Sequence, residues 1–304
     1  MNNNKYFKQS VLLLKILPIV NRENIFALKG GTAINCFVRD LPRFSVDIDL
    51  VYIPHNDRAK SLDDISKSLL RIESNILKFI PNTKIQRKLL DIYTIGLIIT
   101  GETATVKIEP NLTIRGTVYP TTEYYLCNKA KELFEITLKT KSLIKEELYA
   151  GKICAALDRQ HPRDIYDIKL LFENEGITDM TRKAFLVYLI SHNRPISELL
   201  NPNFLDISKT YEQEFIGMVN EKVDLNELIS TRELLVNEIT KSLNDSEKQF
   251  LLSFKSTNPN WQLLGLPDIQ YLPAVKWKLL NLKKMEQKKH TEALIKLESV
   301  LNIK

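Results

Sequence analysis

The chain has 304 residues, enough for one large or two ordinary domains with ample core. Hydrophobic residues make up 44% and charged residues 26%, the balance of a globular protein, and the nine glycines with no repeat at solenoid spacing exclude collagen-like and repeat architectures. The net charge of +6 permits an acidic partner without naming one.

In chain order, VLLLKILPIV is broken by Lys15 and Pro18, and no small-residue cleavage site follows. The pattern predicts a helix from about Tyr6 to Val20 that closes the first domain, not a signal peptide. No other segment reaches the roughly 20 apolar residues of a membrane span. Phe26 to Leu28 reads as a buried strand running into Lys29-Gly30-Gly31-Thr32 and a helix from Ala33 to about Val38. Such a glycine pair can turn backbone N–H groups inward ahead of a helix N-terminus, which favours a phosphate. Thr32 is expected to cap this helix and to offer its hydroxyl to a phosphate oxygen.

The next strand, Val46 to Tyr52, follows Ser45 and carries Asp47 and Asp49 on one face, with Val46, Ile48 and Leu50 on the other. Their Cα atoms stand roughly 7 Å apart, which suits one Mg²⁺ between the carboxylates or two ions clamping a phosphoryl displacement. A Gly-Gly pair alone is most often a turn, and an Asp-x-Asp alone is weak; their order here carries the signal.

A helix is expected from about Leu62 to Phe79, opening at Ser61 with Asp63 and Asp64 in its first turn. Lys84 to Lys88, Asp91 to Thr100 and Thr103 to Leu112 read as strands, with Gly101-Glu102 as a hairpin turn between the last two. On the third of these, Val106 and Ile108 face one way and Lys107 and Glu109 the other. Glu109 is the candidate third carboxylate, a metal ligand or a base for an attacking hydroxyl, with a solvent-facing Glu as the equal alternative. Everything after about Glu123 reads as helical, which sets a core domain over 1–122 and a helical domain over 123–304.

A helix from about Thr140 to Asp158 carries Lys152, with Arg159 on the same face. His161-Pro162 ends it and opens the next helix, whose start holds Arg163, Asp164 and Asp167. Lys152 could meet a triphosphate, or it could join Arg159, Asp164 and Asp167 in an internal ion-pair cluster. Between Lys276 and Lys304 the net charge is +5, and Arg71, Lys78, Lys84, Arg87 and Lys88 form a second basic run. These are either solvated faces or a surface tracking RNA phosphates. Trp277 fits an amphipathic pattern and is expected in the core rather than as a base-stacking platform for RNA. Cys36, Cys127 and Cys154 fit reduced thiols in a cytoplasm, and the four histidines lack ligand spacing with them, which argues against zinc.

Together LKGGTAI, RFSVDIDL, EELYAGKICAALDRQHPRDIYDIKLL and LPAVKWKLLNL resemble the AbiEii family of nucleotidyltransferase-like toxins. The resemblance spans most of the chain; the fourteen residues between Thr32 and Asp47 make this loop longer than the family pattern. It implies an α+β, polymerase-β-like mixed sheet followed by a mainly helical region. It also implies a metal-dependent enzyme of a type IV toxin–antitoxin or abortive-infection system, with an antitoxin partner. Relatives of this kind transfer nucleotides to the 3′ end of tRNA. On that resemblance Asp47 and Asp49 bind Mg²⁺ or Mn²⁺, with Glu109 the third carboxylate that the strand reading offers. Gly30, Gly31, Thr32, Ser45, Lys152, Arg163 and Asp164 bind the NTP, Lys152 neutralises the leaving pyrophosphate, and Asp167, the last of the catalytic set, holds Lys152 in position or orients the nucleotide. An antibiotic-type small-molecule nucleotidyltransferase and a silent NTP- or RNA-binding regulator are the alternatives.

Overall fold

The computed structural model describes residues 4–219 and 221–303. The chain divides into two units, one of residues 1–148 with 216–222, the other of residues 149–215 with 223–304.

The first unit is built on a mixed seven-stranded sheet. In chain order it comprises α1 (Lys5–Val20), β1 (Phe26–Lys29), α2 (Gly30–Ala33), β2 (Asp47–Tyr52), α3 (Arg58–Phe79), β3 (Lys84–Leu90), β4 (Tyr93–Thr100), β5 (Thr105–Pro110), β6 (Thr122–Tyr125), α4 (Asn128–Phe134) and β7 (Lys139–Ser142). The strand order is β3-β4-β5-β2-β1-β7-β6. β2 lies at its centre, antiparallel to β1 and parallel to β5. That position fixes what stands beside each of its side chains.

Helix α1 buries Leu13, Ile16 and Leu17 completely, so its apolar run serves the core, as its pattern indicates. Helix α3 buries Leu62, Ile65, Leu69, Ile72 and Ile76, the helical spacing of one apolar stripe, and packs on β4. It starts at Arg58, earlier than the sequence suggests. Asp57 is the cap, its side chain accepting from the Lys60 N–H at 2.8 Å. Asp63 and Asp64 therefore lie further into the helix, paired with Lys67 and Lys60. Asp91 takes a left-handed backbone (φ 53°), so it makes the β3–β4 turn instead of opening β4. The β4–β5 turn runs over Gly101 to Ala104, closed by the Gly101 N–H on the Ala104 carbonyl at 2.9 Å.

The sheet does not end before Thr122. β7 runs parallel to β1, and β6 pairs antiparallel with β7, in a stretch that reads as helical. Their sequences, TEYY and KTKS, offer no apolar alternation; β7 is held instead by hydroxyls, Ser142 Oγ donating to the Leu28 carbonyl at 2.9 Å and Thr140 Oγ1 to Asn21 Oδ1 at 2.7 Å. The first unit accordingly extends to Leu148, past the boundary expected at 122.

The division falls early in α5 (Lys145–Asp158), most of which belongs to the second unit. That unit continues with α6 (Pro162–Asn174), α7 (Asp179–Ser191), α8 (Ile196–Leu200), α9 (Ser208–Thr210) leading into a π-helical turn at Tyr211–Phe215, α10 (Leu225–Ser242), α11 (Asp245–Lys255), α12 (Pro273–Lys283) and α13 (Gln287–Leu301). It is helical among the described residues, with α6 against α10, α7 against α11 and α12, and α13 against α8 and α11.

Candidate active site

On β2, Asp47 and Asp49 are half-buried, whereas Ile48 and Leu50 are buried on the opposite face. The alternation is the one the strand's period requires. Each aspartate meets a defined neighbour. Asp47 lies beside Lys107 of β5, and Asp49 lies between Glu109 of β5 and Lys29 of β1. Side chains paired across adjacent strands share a face, so three carboxylates and two lysines stand on one half-exposed surface above a dry layer of Ile48, Val106 and Ile108. Glu109 also pairs with Lys88 of β3. Among the described residues, no three His, Cys, Asp or Glu side chains are gathered as a metal-holding group. The candidate metal pair is Asp47 with Asp49, and Glu109 stands one strand away with its own cation.

The glycine pair is explained by what lies over it. Gly30 has φ +71°, and a Cβ there would stand 2.2 Å from Asp49 Oδ2. At Gly31 a Cβ would stand 2.7 Å from an Nη atom of Arg43. The turn is therefore shaped to accept a carboxylate and a guanidinium at van der Waals distance. Arg43 is 3% exposed, and its Nη1 donates to the Phe44 carbonyl at 3.0 Å. It comes from the long loop before β2, so the loop serves to return Arg43 to the turn.

Thr32 does not cap the helix. The cap position is Lys29, without a side-chain bond, and Thr32 Oγ1 instead donates to the Asp47 carbonyl at 2.6 Å. Thr32 thereby ties the glycine turn to the strand that carries the carboxylates. The helix behind the turn is short: α2 has 4 residues and passes into a 5-residue π-helical turn, Ile34–Val38. Ser45 is 2% exposed and lies beside the Cys36 thiol, while its carbonyl accepts from Ser10 Oγ at 2.8 Å. Burial, with the neighbouring Cys127, pushes the Cys36 thiol up to about 12, so it stays protonated.

In the second unit, Lys152 Nζ lies 2.6 Å from Asp164 Oδ1 and 3.0 Å from Asp167 Oδ2, and Arg159 Nε lies 2.5 Å from Asp164 Oδ2. Lys152, Asp164 and Asp167 are 6%, 1% and 0% exposed. Burial alone would raise the Asp164 carboxyl, but Lys152 and Arg159 outweigh it and hold it well below the usual carboxylate range. His161 caps α6, its Nδ1 accepting from the Arg163 N–H at 3.1 Å, with Pro162 in the first turn. Lys152 and Arg159 meet Asp164 and Asp167 here in an ion-pair cluster within the unit.

Lys29 and Lys107 on the β2 surface, and Lys88 behind Glu109, are groups that motif reading did not single out. The signal was present for Lys29, which is one residue before the glycine pair, and for Lys107, which alternates with Glu109. Only the strand order places either beside Asp49 or Asp47. Two C-terminal expectations change. Trp277 is 50% exposed, outside the core, and Lys278 is 9% exposed, not part of a solvated basic face.

A family model described as the nucleotidyl transferase AbiEii toxin of a type IV toxin–antitoxin system matches residues 12–279. No curated protein matches the chain by sequence. Its fold is similar to that of MenT4, a nucleotidyltransferase toxin from Mycobacterium tuberculosis H37Rv, with a TM-score of 0.58 and 12% identity over 96% of this chain and 93% of that one.

Proposed function

The chain belongs to the AbiEii family of nucleotidyl transferase toxins of type IV toxin–antitoxin systems, and from that premise we propose that it transfers a nucleotide from an NTP to an RNA acceptor, with the 3′ end of tRNA as the target. The observation that carries the reading is the Asp47–Asp49 pair on β2, closed on one side by the Gly30 turn and flanked in register by Glu109.

The donor set fits a divalent cation such as Mg²⁺ or Mn²⁺, a hard ion that usually takes one or two carboxylates and completes its shell with water and phosphate oxygens. Bound there, the ion would supply charge neutralisation at the phosphates. Asp47 and Asp49 hold it. Gly30 leaves the space that lets Asp49 lie against the backbone turn, and Thr32 keeps that turn on β2. The Gly30 and Gly31 N–H groups and Lys29 are the phosphate-binding groups of this face, whereas Ser45, 2% exposed, is too buried to join them. Glu109 accepts the proton of the acceptor hydroxyl as it attacks, with Lys88 setting the carboxylate's position.

In the second unit, Lys152, Arg163, Asp164 and Asp167 lie on the family motif, which supports a nucleotide-phosphate role for Lys152. Its geometry supports a structural one, because its ammonium already has two carboxylates. We assign it the structural role. Loss of transfer in Lys152→Met at unchanged melting temperature would reverse that assignment.

A cognate antitoxin follows from the family, and a cytoplasmic location fits three cysteines that form no disulfide. No helix among the described residues is long and apolar enough to cross a membrane. The test is incubation with tRNA and each labelled NTP in Mg²⁺. Label on the tRNA with the wild type and none with Asp47→Ala supports the reading. Absence of transfer to any RNA, with wild type equal to the variant, overturns it.

A further inference from the structure

The second unit contains a half-open cavity of about 210 Å³ whose lining includes Ile196, Trp277, Leu282 and Met285 together with Lys255 and Lys278, and no Asp or Glu. Its walls are mostly apolar, yet two lysines line it. Neither belongs to the proposed transfer site.

Lys278 is a held cation. Its Nζ donates to the carbonyls of His192, Asn193 and Arg194 at 2.5, 3.2 and 3.1 Å. These follow the C-terminal end of α7, where the helix dipole is negative. Burial, and then the nearby charge of Lys255, push its pKa down to about 8. Lys255 differs. It ends α11, is 7% exposed, and its Nζ makes no hydrogen bond or ion pair among the described residues. Only its carbonyl is engaged, accepting from His290 Nε2 at 2.7 Å. Burial lowers its pKa with no acid nearby to offset the effect.

The Lys255 ammonium keeps contact with solvent, and an ammonium with no protein acceptor beside a second cation favours an anion there. The cavity corresponds to about seven waters' share of liquid volume, more than a bare phosphate or carboxylate needs. Its walls supply the reason for the excess. We propose that this cavity binds a small organic acid, its anionic head on Lys255 in the field of the carbonyl-held Lys278 charge and its apolar body against Trp277, Leu282 and Met285. An RNA backbone fits it less well, since polyanions are tracked by exposed lysines along a groove.

The proposal is tested on the full chain by calorimetry and tryptophan fluorescence with four probes: phenyl phosphate, 4-phenylbutyrate, 4-phenylbutanol and inorganic phosphate. Both aromatic acids are expected to bind saturably, and the alcohol and inorganic phosphate at least about ten-fold more weakly. Lys255→Met should weaken both acids by about ten-fold or more, leave the alcohol unchanged and not lower the melting temperature, since it removes a charge with no protein acceptor. Trp277→Phe should abolish the fluorescence response, which separates it from Trp261. Failure of both acids to saturate, alcohol binding equal to theirs, or a Lys255→Met affinity equal to wild type overturns the proposal. Should that variant not fold, reductive methylation of the wild type read by mass spectrometry decides instead: phenyl phosphate protects Lys255, or the site is abandoned.

Discussion

Asp49 rests on Gly30, so closely that a Cβ at position 30 would stand 2.2 Å from its Oδ2. The glycine also sits at φ +71°, where L side chains are strained. Gly30→Ala therefore has two costs of different kinds, one in the backbone and one in the carboxylate it displaces. It should lower stability by more than about 1 kcal/mol and abolish transfer, read by thermal melting and by label incorporation. Full activity in Gly30→Ala would show that the position of Asp49 against the turn is immaterial.

The Thr32 hydroxyl and the Asp47 carbonyl, 2.6 Å apart, couple turn to strand. Thr32→Val leaves the carbonyl without that donor and should cost about 1–3 kcal/mol, whereas Thr32→Ser keeps the bond and most of the stability. Chemical denaturation of the two variants separates them. Equal midpoints would mean the bond contributes nothing.

Removing either aspartate of the metal pair should reduce transfer by at least about 100-fold, because even outer partners of metal sites cost about 10–100-fold when mutated. Asp47→Asn and Asp49→Asn are near-isosteric and should melt close to wild type. Glu109→Gln, paired with Lys88 and in no three-residue metal group among the described residues, should instead lower the rate with a changed pH profile and an unchanged metal requirement. A shifted metal requirement in Glu109→Gln would identify it as a ligand.

In the second unit, Asp164→Asn leaves Lys152 buried with part of its countercharge gone, which should cost about 3–5 kcal/mol. The pH dependence has a definite sign. The folded Asp164 carboxyl is held below its usual range, so the unfolded chain binds the proton first as pH falls. Its stabilisation is present above about pH 4, the ordinary carboxylate value, and declines below it. Denaturant midpoints of wild type and variant measured from pH 7 down to 3 should converge; parallel curves would show that Asp164 has no such role.

Much of the first unit could be read from residue order because its signals are local. α1, α3 and the central strand follow apolar periodicity, and Gly-Gly-Thr before Asp-x-Asp places a turn and two carboxylates by spacing. β6 and β7 could not be read so. They are four residues each, polar, and exist because Leu28 and its neighbours leave an unpaired edge of β1 to fill. Cap choice was equally opaque, since Asp57 and Ser61 are both good capping residues and only the chain's path selects Asp57.

By itself, then, the sequence determined the pair of aspartates on one strand face and the turn that precedes them, because strand period and glycine conformation act within a few residues. Tertiary structure alone decided which groups stand next to them. The parallel pairing of β2 with β5 brings Glu109 beside Asp49 across sixty residues of chain, and the antiparallel pairing with β1 sets Lys29 on the other side. It also decided that Lys278 is buried on carbonyls, because the end of α7 supplies a negative dipole that no pattern within the lysine-rich tail could reveal.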